Sequence, residues 1–279
     1  MKRQRSPKLI SRACLFAAAA LLTVGAPPTA RAANLFFDQN GATAGTGATG
    51  AAAWDTTSSF WVNASAASPT VASVSGTTIN GLGTATAYTF TNADVAYFLG
   101  GTAQTITLGT GVTLNGINDS VGETFTGNTF TLAGTAPAIT VANAKTTTVS
   151  SILAGTVGLV VDGSGTLKLN GANTYTGTTT LRDGVLNLDF STSTPTTNIL
   201  AAAGVLSLSG GSLTLTGKAS TTNSQTFAST TLAGGNATLT LSANATANPL
   251  LLSLGAITRS VGATMNIVQP TGTISATNG

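Results

Sequence analysis

From about residue 105 onward the chain is written in short runs that alternate polar and apolar positions. Thr105–Leu108 (TITL), Val112–Leu114 (VTL), Phe130–Leu132 (FTL) and Ala138–Val141 (AITV) come first. Thr166–Leu169 (TLKL), Val205–Leu208 (VLSL), Leu213–Leu215 (LTL) and Ala237–Leu241 (ATLTL) continue the pattern. A period of two built on Thr, Val, Ile and Leu predicts strands with one dry face and one wet face. Gly109-Thr110-Gly111, Asp162-Gly163-Ser164-Gly165, Asp183-Gly184 and Gly234-Gly235-Asn236 separate the runs and read as turns. No helical stripe follows the first thirty residues; Asn198–Ala203 (NILAAA) has room for one turn at most. The expected fold is all-β.

Alternation alone also suits an antiparallel sandwich. Repetition favours a stack instead. Gly165–Leu169, Asn173–Tyr175, Thr178–Leu181, Gly184 and Val185–Leu188 follow one another in that order. Gly211–Leu215, Gln225–Phe227, Ser229–Leu232, Gly235 and Ala237–Leu241 echo them more loosely. The opening strands of the two copies are 46 residues apart and the aromatic residues 52 apart, so the echo carries extra loop. Self-similar strands with glycine corners predict coils that bury their apolar faces against one another. In such a parallel β-helix, Leu, Val and Ile point inward and threonine hydroxyls outward. At roughly 20 to 25 residues per coil and about 4.8 Å per step, the chain predicts on the order of ten coils and a stack about 50 Å long.

The start of the chain is different. Lys2, Arg3, Arg5, Lys8 and Arg12 surround or precede an apolar stretch, Ala13–Val24, and Pro27-Pro28 and Ala30-Arg31-Ala32 follow it. That order predicts a cleavable secretory leader over 1–32, exported by the Sec route. Its apolar stretch is shorter than the roughly 20 residues a bilayer needs. Without the leader, five basic residues stand against eight acidic ones, so the whole chain's +3 becomes about −3. A basic patch for nucleic acid is therefore not expected. The single cysteine, Cys14, lies in the leader, and histidine is absent. Serine and cysteine triads, thiolate metal sites and His-based zinc sites are thereby excluded from the remainder. Export without disulfides points to a bacterial product.

Residues 33–100 read as an N-terminal cap or irregular β region, with a sandwich-like arrangement as the alternative for this part. Within it, Gly41–Ala53 is low in complexity, and Trp54-Asp55 and Phe60-Trp61 hold both tryptophans of the chain. Core packing is the expected role of these aromatic residues. Residues 101–279 are expected to form the parallel β-helix, cut short at the C-terminus.

The stretch from Gly163 to Leu188 reads GSGTLKLNGANTYTGTTTLRDGVLNL. It resembles the autotransporter-associated β-strand repeat, also called the passenger-associated transport repeat, whose pattern is GxGTLxLxGxNTYTGxTTxxxGxLxL. The NTYTG core, Asn173–Gly177, matches in full, and Val185 departs at a position that is usually small or polar. The resemblance implies a right-handed parallel β-helix in an exported or surface-displayed bacterial protein, with no catalytic residues in the repeat. It also implies an association with the cell surface or outer membrane. A membrane barrel after such a passenger would show ten-residue amphipathic strands and a terminal aromatic residue; neither pattern is visible before Gly279.

Other candidates for chemistry read as ordinary structure. Gly45–Gly50 fits GxGxxG, but without the strand, helix and later acid that a dinucleotide site requires. Asp162 before Gly163-Ser164-Gly165 reads as a turn residue and not as part of a calcium loop. Asp183 and Asp189 flank one strand and are too far apart for a glycosidase pair. Asp119 and Glu123 form the best local carboxylate pair and are expected to be solvated turn acids. Tyr175 is expected to pack over a corner, and the Thr and Asn rows to serve strand formation and solubility.

No catalytic, cofactor-binding or metal-binding residues are assigned, and no cofactor is expected. The expected function is an exported, non-catalytic stalk or passenger segment, extracellular or at the cell surface, acting in secretion, display or adhesion. Cell-surface glycans or other surface proteins are the expected partners. One alternative is a secreted polysaccharide lyase or glycosidase whose site would gather Asp162, Lys168, Arg182 and Asp183. Another is a glycan-binding adhesin module.

Overall fold

The computed structural model describes residues 34–37, 52–54, 61–63, 90, 94–99, 102–242 and 249–268. The GxGxxG stretch at 45–50 and the leader lie outside them. Every regular element among the described residues is a β-strand. Nearly all pair in parallel, and they form a solenoid as the internal repetition predicts.

Each coil passes through three sides in turn. The coil starting at Val95–Phe98 continues through Thr105–Leu108 to Val112–Leu114, and Gly116–Asp119 then lies beside Val95–Phe98 again. Along the first sheet, Val95 faces Gly116, followed by Ala138, Val160, Thr180, Ser207, Thr231 and Thr258, in steps of 20 to 27 residues. The loops after Asp189 and Thr216 lengthen the steps to Ser207 and Thr231. The two sequence copies prove to be two coils apart: Leu167 faces Leu186, and Leu186 faces Leu213.

Parallel register turns alternation into rows. Ala96, Ile117, Ile139, Val161, Leu181, Leu208 and Leu232 form one inward row of the first sheet, all buried. Ile106, Phe125, Val149, Leu169, Leu188 and Leu215 form a matching row of the second sheet. Each Val, Leu, Ile or Phe side chain of these rows removed from water contributes about 1.5–3 kcal/mol. Together these rows close one core. At its N-terminal end the core is aromatic, with Trp54 against Phe90, Phe98, Phe125 and Phe130 at centroid distances of 4.9 to 6.2 Å. The core role read for Trp54 is the one observed. Here Asn34–Phe37 pairs in parallel with Val95–Phe98 and antiparallel with Trp61–Asn63.

The rows continue into the last described coil. Ile257 and Ile267 occupy inward positions of the last described coil yet are 52% and 58% exposed. No described helix is long and apolar enough to cross a membrane, which leaves β-barrels unaddressed.

Candidate functional site

The repeat of Gly163–Leu188 covers rather more than one coil. Thr166–Leu169 lies in the second sheet, Thr179–Leu181 in the first, and Val185–Asp189 returns to the second. The NTYTG segment between them forms the third side of its coil, where earlier coils place Val112–Leu114, Phe130–Leu132 and Leu153–Ala154. It is not a strand, yet its N–H groups still bond to the neighbouring coils: Thr174 and Tyr175 donate to Leu153 O, Thr176 to Gly155 O, and Asn173 to Ile199 O. The Asn173 side chain adds a second set of bonds. Its side-chain oxygen accepts the Leu153 N–H of the preceding coil at 2.8 Å. Its amide nitrogen donates to Ile199 O of the following coil and to Gly171 O, both at 3.0 Å. A carboxamide is both donor and acceptor, so one buried side chain can hold three successive coils.

The rest of NTYTG follows from crowding. Tyr175 turns into the core, and its hydroxyl lies 2.6 Å from Thr179 Oγ1. Burial raises its pKa well above the ordinary tyrosine value. The corner role expected for Tyr175 becomes a core role. Gly177 passes so close to the preceding coil that a Cβ there would collide with the Gly158 backbone. Val185 faces Thr166 and Ser212 in an outward row, which explains why that position is usually small or polar. Later coils extend the carboxamide column along the third side. Gln225 accepts Leu200 N–H at 3.1 Å and donates to Leu200 O at 3.0 Å, and Asn223 donates to Thr196 O at 3.1 Å.

Asp119 and Glu123 depart from expectation. They are 0% and 2% exposed, so they are interior groups and not solvated turn acids. The turn carrying them folds back under the next coil. Asp119 accepts N–H bonds from Val121, Gly122 and Glu123 at 2.7 to 2.9 Å, and the Thr147 hydroxyl at 2.7 Å. Among the described residues, the Glu123 carboxylate accepts only the Gln104 N–H, at 2.6 Å. Burial pushes the Glu123 carboxyl up to about 7; the Gln104 hydrogen bond opposes the rise and the Asp119 charge adds to it. Thr147, Thr179 and Thr230 are likewise buried, so threonine is not confined to the wet face. Local sequence carried no signal for this, since Thr146-Thr147-Thr148 offers no polar–apolar contrast.

Of the quartet that an enzyme site would have required, Arg182 and Asp162 pair with each other, whereas Lys168 pairs outside it. Arg182 reaches Asp162 at 4.0 Å on the first sheet, with both side chains exposed. Lys168, on the second sheet, pairs with Asp189 at 3.1 Å. Asp189 is held below the ordinary carboxylate value: burial would raise it, but Ser191 and the Lys168 ammonium outweigh that. Asp183 Oδ1 accepts the Gly184 N–H, and Asp162 Oδ1 that of Gly163, as turn residues do. Asp183 and Asp189 stand at opposite ends of one strand. No group of three or more acids among the described residues is placed to hold a metal ion.

The outer rows are hydroxyl-rich. Thr107 and Thr126 lie within 3.3 Å of each other across adjacent coils, and Thr231 and Thr258 within 3.0 Å.

This combination defines a class, a parallel β-solenoid whose corners and third side are locked by glycine and carboxamide groups. Comparison with known proteins places the locked segment. Residues 159–188 match the family described as Passenger-associated-transport-repeat, so the chain carries such a repeat at that place. Over 184 residues, 66% of its length, the chain is 36% identical to the "Adhesin BmaC autotransporter" of Brucella suis biovar 1 (strain 1330). It spans 5% of that relative's length. No solved structure matches the chain.

Proposed function

We propose that the protein is a non-catalytic passenger or stalk segment of a bacterial surface protein, exported to the cell exterior for display or adhesion. The observation that carries this reading is the NTYTG segment. In this segment, which lies in a passenger-type repeat, Asn173, Tyr175 and Gly177 are each engaged in coil stacking. The adhesin relative supports the same direction. In this reading residues 1–32 are the leader, 33–100 close one end, and 101–279 form the displayed solenoid.

The test is to produce the full chain in a Gram-negative host and sequence the N-terminus of the exported material. A new terminus near Ala33, with loss of export when 2–24 are deleted, is expected. An uncut chain kept in the cytoplasm would refute it. A second reading, glycan binding, rests on the paired threonine hydroxyls of the outer rows. Retention on a panel of cell-surface glycans, lost when Thr107 and Thr126 are changed to Val, separates an adhesive face from a passive stalk.

A further inference from the structure

We propose that the polar interior around Glu123 is a proton-operated latch, in which neighbouring coils hold together more tightly when the Glu123 carboxyl carries a proton than when it is ionised. The argument begins with register. Thr147, Leu167, Leu186, Leu213 and Leu239 form one inward row of the second sheet. Thr124 faces both Thr105 and Thr148, so one position earlier Glu123 lies between Gln104 and Thr147, at the head of this row. An acid thus occupies a position that later coils give to leucine.

Its surroundings favour the neutral form. Asp119, the nearest carboxylate, has four donors, whereas Glu123 has the single N–H of Gln104. The Gln104 side-chain oxygen and nitrogen are both buried without a partner. Among charged groups, Asp119 on the same coil repels a Glu123 anion. The preceding stretch Thr102–Leu108 holds no charged residue, and the following stretch Ala142–Val149 holds only Lys145, which is exposed and makes no ion pair with Glu123. A buried anion with one donor and a like charge beside it is costly, and a proton removes that cost.

The sign follows from linkage. With the folded value at about 7 against an ordinary 4.5, the closed coils bind a proton that the opened chain releases at lower pH. The latch is at full strength below about 4.5, weakens as pH rises towards 7, and is level above that. Mild acid therefore tightens these coils.

Hydrogen exchange on the full chain between pH 5 and 8, corrected for intrinsic rates, tests the latch. Useful reporters are the amides of Gln104, Thr124 and Thr148, which bond to Glu123 Oε2, Gln104 O and Glu123 O. Their protection is expected to fall by up to about tenfold per pH unit between 5 and 7 and then level off. In Glu123→Gln, a neutral isostere, the profile is expected to be flat. Protection independent of pH in the unaltered chain, or an unchanged slope in Glu123→Gln, would overturn the latch. Should that variant fail to fold, a carboxyl-carbon NMR titration of the unaltered chain decides. A Glu123 midpoint near 7 supports the proposal, and one near 4.5 sinks it.

Discussion

The coils around Asp119 and Glu123 and those of Gly163–Leu188 share a register but fill it differently. In the second region the inward row is Leu167, Leu186 and Leu213, and the polar lock is confined to Asn173 on the third side. In the first, the same row holds Gln104, Glu123 and Thr147, and a carboxylate serves the turn. Asp119 only accepts, so it gathers the N–H groups of its own turn and one hydroxyl from the next coil. Asn173 also donates, so it reaches coils on both sides. In this pair, the acceptor-only Asp119 chiefly fastens its own turn, and the amide of Asn173 fastens the stack.

Substitutions can break or sharpen this contrast. Leu186→Ala should have the largest effect, removing about 2–5 kcal/mol through the cavity between Leu167 and Leu213. It would be read as a drop in the denaturant midpoint. Asp119→Ala follows at about 3 kcal/mol, because three backbone N–H groups and the Thr147 hydroxyl lose their acceptor. Hydrogen exchange should localise that damage to 119–123. Asn173→Ala should cost about 2 kcal/mol, leaving the Leu153 N–H without its acceptor. Its exchange footprint should extend to both Leu153 and Ile199, unlike that of Asp119→Ala. Equal footprints would erase the distinction between the two locks. The smallest effect belongs to Tyr175→Phe, about 1 kcal/mol for the bond to Thr179, with the ring still packed.

Much of the fold was legible because alternation and coil geometry agree. Thr105–Leu108, Val112–Leu114, Phe130–Leu132, Ala138–Val141, Thr166–Leu169 and Val205–Leu208 are strands at the bounds the pattern assigns. The later part of the third side was not legible. Asn223–Thr226 (NSQT) is a strand whose inward residues are Asn223 and Gln225, so polarity there signals a buried amide column and not a loop. The interior acids escaped for a related reason. Glycine-flanked acids normally face water, and only the coil stacked above removes Asp119 and Glu123 from it. That coil is contributed by Thr146–Val149, more than twenty residues later, and local pattern holds no trace of it.

The parallel ladders also set how the molecule answers a tug. Hydrogen bonds between coils point along the stacking direction, so tension in that direction strains all three sides of a coil at once and must rupture them together. A load applied sideways at one end meets a single rung at a time and unzips it. Such a stack resists being stretched far better than it resists being peeled.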